Sequence, residues 1–362
     1  MLNYRIKCKN TDFVVNEIPL LPKLFSKNSS QYTYLWVRKS GLTSFEALGK
    51  ISQFFRISTE GVNAEGLKDE DAVTTQIFSV RKIIDKALIL QFNTKCKKEK
   101  LNLKIDKIIG YGKNKVTERQ LYGNLFNITI RNLDSKIAEK TKQYCLSNRF
   151  ITFINYYDNQ RFGLNGGPYN NHIIGEAIIK GNWEKVLREI DSKNIKSSKT
   201  ENAKTKNNKN AKDYLLDMDK KSIKFYLSAY NSFIWNSKVS SLIKEHNRES
   251  KKYFFENLGE LNIPSKQNFI SSNICSVQGY NLSENKDVTR YLFTRTVLTS
   301  VTIFPEDIEQ DEFKENKKKI NVLFFLPTGS YATMLIKQMY AKILDNNAQK
   351  NCSANSSLIP LL

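Results

Sequence analysis

Short runs rich in β-branched and aromatic residues, each bounded by turn-forming residues, recur along the sequence. The runs are RIKCKNTDFVVNEIP (5–19), QYTYLWVRKS (31–40), AVTTQIFSV (72–80), LYGNLFNITIRNL (121–133) and NVLFFLP (321–327). This composition favours the extended backbone of a β-strand. We therefore predict a strand in each run, and we expect NVLFFLP to be a buried one.

Other stretches place their apolar residues at helical spacing. In TSFEALGKISQFFRIS (43–58) these positions are Phe45, Leu48, Ile51 and Phe55. Thr43 and Glu46 form a capping-box pattern, which predicts where this helix begins. Residues 220–247 and 329–344 are also predicted to be helical, and the first of them is expected to bury Tyr226, Tyr230, Phe233 and Val239. Because strands and helices mix throughout, the pattern indicates an α+β fold.

Composition and charge narrow the class of partner. The chain has 362 residues, which suits two domains or one large domain with an insertion. Lys+Arg number 57 against 36 Asp+Glu, a formal net charge of +21. A charge of this size favours a polyanion, with nucleic acid first and an anionic membrane surface second. The chain is also rich in Lys and Asn together, so a general residue bias remains an alternative explanation.

The cysteines and the amino terminus bear on metal sites and location. The five cysteines are far apart without a C-x-x-C motif, and the chain has only two histidines. This spacing argues against a zinc site and a disulfide framework and fits a reducing cytosol. The start, MLNYRIKCKN, has no apolar leader segment, and no run approaches the ~18 apolar residues of a membrane span. We predict a cytoplasmic protein that does not bind a membrane.

Four further segments place polar side chains close to a glycine, and three of them also contain an aromatic residue. They are GLKDEDAVTTQ (66–76), GNLF (123–126), NYYDNQRFG (155–163) and FFLPTGSYATM (324–334). Such sets suit a pocket for a flat, hydrogen-bonding ligand such as a nucleobase. Taken singly, each has an ordinary explanation, since Phe126 fits a core position, Arg161 a structural ion pair and Asp69 a turn.

Taken together and in this order, these segments and SAYNSFIWN (228–236) resemble the TruD-type tRNA pseudouridine synthases. KCKNTDFVVNEIP (7–19) resembles the opening of that family, and the resemblance extends to about Leu344. It implies a pseudouridine synthase catalytic core, built on a mixed and mainly antiparallel sheet with helices, and an inserted α+β TRUD domain. The core is expected at residues 1–152 and 295–347 and the insert at 153–294, with a Lys-rich linker at about 191–212 and a frayed tail at 348–362.

The resemblance also implies the reaction and its catalytic residues. Pseudouridine formation breaks the N1–C1′ bond of a uridine, turns the base and rejoins it through C5, so no redox cofactor and no metal are expected. The carboxylate that the reaction needs is Asp69 by resemblance, acting either as a nucleophile at C1′ or as a base at C2′. A nearby cation stabilises a partly buried carboxylate in its ionised form, and Lys7 is the matching candidate.

Further residues are assigned to the substrate by the same resemblance. Phe126 is expected to stack on the flipped base, Asn124 to position it and Phe325 to form a second pocket wall. Gln76 is expected to brace the loop that carries Asp69, and Arg161 to lie at the hinge or the RNA-facing side of the insert. The expected partner is tRNA, with uridine 13 as the usual target and phosphate contacts from Lys clusters at 94–100 and 111–115. We expect a monomer.

Two other functions remain open at this point. One is an RNA-binding protein of the same fold that has lost catalysis, which would share the charge and the aromatic residues. The other is a hydrolase that uses Asp69 with Glu176 as an acid–base pair, which needs the two carboxyl groups ~5–10 Å apart across a cleft.

Overall fold

The computed structural model describes residues 4–66, 68–117, 121–163, 167–197, 218–246, 249–264 and 273–356. These residues form two compact units, one comprising the chain up to Ile151 with Val301–Gly329, the other Thr152–Ser300 with the chain from Ser330. No helix in the described ranges is long and apolar enough to cross a membrane.

The described strands and helices mix along the chain, as predicted. The strands are β1 (Phe13–Pro19), β2 (Tyr32–Ser40), β3 (Val62–Ala64), β4 (Val73–Val80), β5 (Leu103–Gly112), β6 (Leu121–Leu133), β7 (Ile151–Ile154), β8 (Lys251–Phe255), β9 (Gly259–Ile263), β10 (Ile274–Leu282), β11 (Val288–Thr296), β12 (Leu298–Val301), β13 (Ile303–Gln310) and β14 (Lys318–Pro327). The helices are α1 (Ser44–Phe55), α2 (Lys86–Lys98), α3 (Ser135–Ser147), α4 (Asn171–Ile179), α5 (Trp183–Ser197), α6 (Lys220–His246) and α7 (Ala332–Ser356). Each predicted strand run and each predicted helix overlaps one of these elements.

The first unit is built on one eight-stranded sheet. Its order is β13-β14-β6-β1-β4-β2-β5, and the short β3 pairs with β4. The β1–β4 pair is parallel, whereas the other registered pairs of this sheet are antiparallel. The mixed, mainly antiparallel sheet predicted above is therefore confirmed. The parallel pair brings the start of β4, which follows the segment GLKDEDA, beside the centre of β1.

Helices α1 and α2 cover part of one face of this sheet. Leu35, Val37 and Phe78 on the strands pack with residues from α1, α2 and neighbouring segments, including Ala47, Ile51, Phe55, Ile89 and Phe92. The predicted capping box is present, since Thr43 Oγ1 accepts a hydrogen bond from the Glu46 N–H at 3.1 Å and Glu46 Oε2 accepts one from the Thr43 N–H at 2.7 Å. Of the apolar residues noted at helical spacing, Phe45 does not face the core, because the core-facing stripe of α1 runs through Ala47, Ile51 and Phe55 and leaves Phe45 exposed.

The second unit has its own core around α6. Every fourth residue of this helix faces inward, with Ile223, Leu227, Trp235, Val239 and Ile243 buried. The prediction for Val239 is confirmed, whereas Phe233 is exposed because it lies off this stripe. Trp235 packs with Leu261, Ile263 and Val277 from the strands and with Met334 of α7.

The two units do not divide at the predicted residues. Strand β12 pairs with β7, and α7 buries Met334 beside Trp235, so residues 295–300 and 330–347 group with the second unit. Helix α7 continues to Ser356, beyond the predicted start of a frayed tail, and α5 occupies the predicted linker as far as Ser197. The rest of the linker falls outside the described residues. That the units act as the catalytic and inserted domains stays a prediction.

Candidate active site

Asp69 lies in the loop that joins β3 to β4, and its backbone is held by a buried lysine. Lys39 Nζ donates to the carbonyl oxygens of Asp69 at 2.9 Å and Leu42 at 2.7 Å. The Lys39 side chain comes from β2 and is fully buried, and burial lowers its pKa to about 8. At neutral pH the ammonium group is charged and can hold both carbonyls. The position of the Asp69 backbone is therefore fixed from the sheet.

The Asp69 carboxylate meets Lys7, which is 62 residues away in the chain. Lys7 Nζ lies 2.5 Å from Asp69 Oδ2, and the two side chains are 16% and 27% exposed. Lys7 Nζ also lies 4.4 Å from the ring centroid of Phe13. The structure thus brings together the two residues that the sequence assigned to catalysis, at a place that solvent partly reaches.

A second ion pair lies one residue earlier in the same loop. Lys68 Nζ lies 3.2 Å from Glu17 Oε2, and these side chains are only 8% and 1% exposed. Glu17 Oε1 accepts a hydrogen bond from the Ile77 N–H at 3.3 Å. Burial raises the pKa of Glu17, while the charge of Lys68 opposes the rise. The sequence analysis did not single out Glu17. The alternation of β1 buries Phe13, Val15 and Glu17, and an acid at a buried position of a strand was a signal that could have identified it.

Strand β6 places Asn124 and Phe126 on the same face as this pair. Asn124 is in register with Glu17, and Phe126 is in register with Val15. The Phe126 ring is 7% exposed and stacks on Phe324 with ring centroids 5.5 Å apart. The rings of Phe13 and Phe126 meet edge to face with their centroids 6.0 Å apart, and Lys7 Nζ lies over the Phe13 ring. An aromatic wall therefore connects Phe126 to the Lys7–Asp69 pair.

Besides Glu17 Oε2, which meets Lys68 as an ion pair, three buried polar atoms on this face accept or donate no hydrogen bond among the described residues. They are Thr74 Oγ1, Gln76 Oε1 and Asn124 Oδ1. The other end of the Gln76 amide, Nε2, lies 3.4 Å from the carbonyl oxygens of Glu65 and Gly66, in the loop that carries Asp69. Buried polar groups without partners are costly, so a cluster of them beside a partly exposed ion pair is typical of a functional site.

Phe325 and Arg161 lie elsewhere. Phe324 pairs with Phe126 across the sheet, so the next residue, Phe325, projects from the opposite face, where its ring stacks on Tyr122 at 5.3 Å. The structure therefore does not place Phe325 beside Phe126, and Phe324 occupies that position. Arg161 belongs to the second unit, where it donates to Ser228 Oγ at 2.6 Å and Ser232 Oγ at 3.1 Å on α6.

The acid–base partner considered for a hydrolase does not have the required environment. Glu176 lies on α4 in the second unit and pairs with Lys180 at 2.7 Å. Its hydrogen bond from Lys180 lowers the pKa of Glu176, whereas a catalytic acid needs a raised one. Within the described ranges, no group of three or more His, Cys, Asp or Glu side chains is arranged to hold a metal ion.

Comparisons with known proteins agree with one another. A family model for tRNA pseudouridine synthase D (TruD) matches residues 2–222. The probable tRNA pseudouridine synthase D 1 of Methanococcus maripaludis is 27% identical over 409 residues, which cover 93% of this chain and 99% of the relative. The tRNA pseudouridine synthase D of Leptospira interrogans is 26% identical over 405 residues, covering 93% and 96%. A crystal structure from Methanosarcina mazei, described as a candidate TruD, has a TM-score of 0.59 at 21% identity and covers 94% of both chains.

These matches define one class of protein, the RNA pseudouridine synthases, which are isomerases. Within that class, the chain belongs to the tRNA pseudouridine synthase D (TruD) family. The resemblance drawn from the sequence motifs is thereby confirmed, and so are the predicted fold class and the prediction that the chain is an enzyme. The roles of the individual site residues stay predictions.

Proposed function

We propose that the enzyme converts uridine 13 of certain tRNAs into pseudouridine and that Asp69 is the reacting carboxylate. One observation carries this proposal: a partly exposed Asp69 carboxylate, 2.5 Å from the Lys7 ammonium, beside the aromatic wall formed by Phe126. The names of the relatives, each a tRNA pseudouridine synthase, support tRNA as the substrate.

The reaction is an isomerisation, so every atom of the uridine is retained. Asp69 either attacks C1′ or removes the C2′ proton, and in both routes the N1–C1′ bond breaks. The base then turns and a C5–C1′ bond forms; in the first route this displaces the Asp69 carboxylate from C1′, and in the second Asp69 returns its proton to C2′. Finally the C5 proton leaves and N1 gains a proton. Lys7 stabilises the ionised carboxylate at the start of either route. No oxidant, reductant or metal is needed to balance these steps.

The residues near Asp69 have suitable chemistry for holding a uracil ring. The target must leave the base stack, at a cost of a few kcal/mol, and an aromatic ring offsets part of that cost. Phe126 is the candidate for this contact. Asn124 Oδ1 accepts no hydrogen bond within the described residues, and the N3–H of uracil is a donor of the right kind. Gln76, through Nε2, braces the loop carrying Asp69.

Exposed lysines at the end of α2 are the proposed contact with the tRNA backbone. Lys97, Lys98 and Lys100 are exposed and lie at or just after the last turn of the helix. Replacing all three by Ala should reduce the slope of log K against log[salt] by about 2–3, since each phosphate contact contributes about 0.7–0.9. The matched control removes Lys220, Lys221 and Lys224, which are also exposed. An equal change in both triple variants would rule out this footprint.

The central experiment maps pseudouridine on unmodified tRNA transcripts incubated with the purified enzyme and EDTA. Carbodiimide labelling followed by primer extension should reveal one new mark, at position 13. A transcript with cytidine at position 13 is the matched control and should stay unmarked. Tight binding without a mark on any transcript would support the alternative function, an RNA-binding protein without activity. The monomeric state and the cytoplasmic location stay predictions.

A further inference from the structure

We infer that Arg131, a residue outside the active site, is a positioning residue that sets Lys7 against Asp69. It does so by holding both ends of a short segment, Arg5–Asp12, called here the N-terminal strap. Lys7 lies in the middle of the strap. This inference deepens the proposed function and rests on it, because it concerns the same Lys7–Asp69 pair.

The first end of the strap is held through the backbone. The Arg5 N–H donates to the Arg131 carbonyl oxygen at 3.0 Å, and the Arg131 N–H donates to the Arg5 carbonyl oxygen at 2.8 Å. These two bonds form an isolated antiparallel bridge beside β6. They place Arg5 on the strand that also carries Asn124 and Phe126.

The second end is held by the Arg131 side chain. Its Nε donates to Asp12 Oδ2 at 2.9 Å and its Nη2 donates to Asp12 Oδ1 at 2.8 Å. Both side chains are buried, with at most 2% exposed. A bidentate pair of this kind fixes orientation as well as distance. Asp12 Oδ2 also accepts the Lys9 N–H at 3.1 Å, which closes the turn just before the end of the strap.

Between these two attachments, Lys7 has a backbone conformation that it would not adopt freely. Its φ is +61°, in the left-handed region that residues other than glycine rarely occupy. Such a conformation persists when the surrounding structure determines it. With Arg5 and Asp12 fixed by one residue, the strap has little freedom, and the Lys7 side chain is directed to Asp69.

Arg131 is itself fixed from a separate part of the first unit. Asp311 accepts from Nη1 at 2.9 Å, and Glu312 accepts from Nη1 and Nη2 at 2.7 and 2.8 Å. Hydrogen bonds to Glu312 and Asp12 raise the pKa of the Arg131 guanidinium, so it is charged throughout the working pH range. The connection between β13 and β14 thus fixes the Arg131 side chain, and Arg131 in turn holds the strap.

Two aspartates on the same guanidinium allow a matched test. Asp12 belongs to the strap, whereas the Asp311 carboxylate accepts hydrogen bonds from Arg131, Asn132 and Phe313, which lie outside it. A role confined to folding predicts similar effects for Asp12→Asn and Asp311→Asn. A positioning role predicts that Asp12→Asn alone alters catalysis.

The first measurement is the single-turnover rate of pseudouridine formation with enzyme in excess, together with the Kd for tRNA. Asp12→Asn should lower the rate about tenfold at unchanged Kd, since small displacements of a catalytic group cost this much or more. Asp311→Asn should stay within about threefold of the native rate, because Glu312 still accepts two hydrogen bonds from the guanidinium and keeps Arg131 in place. In a Lys7→Met background, Asp12→Asn should have no further effect, because it acts through Lys7.

The second measurement does not depend on activity. Hydrogen–deuterium exchange of the peptide that covers the strap should quicken in Asp12→Asn and stay unchanged in Asp311→Asn, while core peptides report whether each variant is folded. Arg5→Pro is the second variant; it removes the N–H donor at the other end without changing a buried charge, and it should act like Asp12→Asn.

The outcomes separate the inference from the proposed function. Equal slowing by both aspartate variants, or slowing by Asp12→Asn that multiplies with that of Lys7→Met, overturns the inference and leaves the proposed function standing. A fully active Asp69→Asn variant overturns the proposed function instead. The exchange data then still decide whether Arg131 holds the strap.

Discussion

Two lysine–carboxylate pairs, formed by consecutive residues of one loop, differ sharply in their surroundings. Asp69 pairs with Lys7 where both side chains keep part of their surface exposed, 27% for Asp69 and 16% for Lys7. Lys68 pairs with Glu17 on the inner face of the sheet, where exposure falls to 8% and 1%. Both pairs tie the same loop to the amino-terminal part of the chain, one to the strap and one to β1.

The two pairs differ in what solvent can reach. The Asp69 side chain is 27% exposed, whereas Glu17 is almost fully buried and also hydrogen-bonded to the backbone of β4. In many proteins, burying two charges costs more desolvation free energy than their attraction returns. The buried pair of Lys68 and Glu17, called here the inner pair, is therefore weak evidence for a stabilising role. The raised pKa of Glu17 agrees with this balance, since burial outweighs Lys68. We infer that the inner pair fixes the loop beneath Asp69.

The largest effect is expected from Asp69→Asn, which removes the reacting charge and keeps the shape. Pseudouridine formation should fall by about 10⁴-fold or more, the size seen when a catalytic group is removed, while the Kd for tRNA stays within about tenfold. Single-turnover assays and filter binding measure the two quantities. Asp71→Asn is the matched control, an exposed carboxylate two residues further along the same loop. Comparable losses in both variants would show that the loop, and not Asp69, is sensitive to this change.

The next effect concerns the inner pair, replaced as a unit by Glu17→Leu with Lys68→Met. Apolar residues of similar volume remove the desolvation cost, so the free energy of unfolding should rise by about 1–4 kcal/mol. Activity should fall nevertheless, because the loop loses its attachment to β1. Urea denaturation and the single-turnover rate give the two values on the same samples. A less stable protein would show that the inner pair contributes to stability, and unchanged activity would show that it does not position Asp69.

Lys7→Met tests the more exposed pair, Lys7 with Asp69, called here the outer pair. Here we expect a large change in rate and little change in stability. The rate should fall about 10- to 100-fold, since the carboxylate loses the cation that orients it. The free energy of unfolding should change by at most about 1 kcal/mol, as for other partly exposed ion pairs. Lys9→Met is the control, because Lys9 belongs to the same strap but pairs with Glu312. A large loss of stability in Lys7→Met would remove the contrast between the two pairs.

Sequence patterns predicted the elements and the outer pair, but not the depth at which charges are buried. The capping box of α1 is local, so Thr43 and Glu46 were sufficient to locate it. Lys7 and Asp69 came from family motifs. Lys39 and Glu17 look like ordinary strand residues, and only the sheet order shows that both are buried beneath the same loop.

The face of the sheet that Phe325 occupies could not be predicted for a similar reason. Phe324 and Phe325 are consecutive on β14, so alternation requires one on each face of the sheet. The sequence does not say which, because the choice depends on the register between β14 and β6. That register pairs Phe324 with Phe126 and gives Phe325 to the other face. The motifs therefore do not determine which of the two residues lies beside Phe126, and the pocket role of Phe325 stays a prediction.

The smallest effect is a pH dependence of stability that comes from Glu17. Its folded pKa is raised above the ordinary 4.5, so the folded chain keeps this proton at pH values where the unfolded chain has released it. The stability that this group contributes is complete below pH 4.5 and is lost as the pH rises through the raised pKa. Glu17→Gln, which stays neutral, should therefore gain stability relative to the native protein over that interval. Urea midpoints of both proteins between pH 4 and pH 8 measure the difference; a constant difference would mean that Lys68 fully offsets the burial of Glu17, and that the two pairs differ in exposure alone.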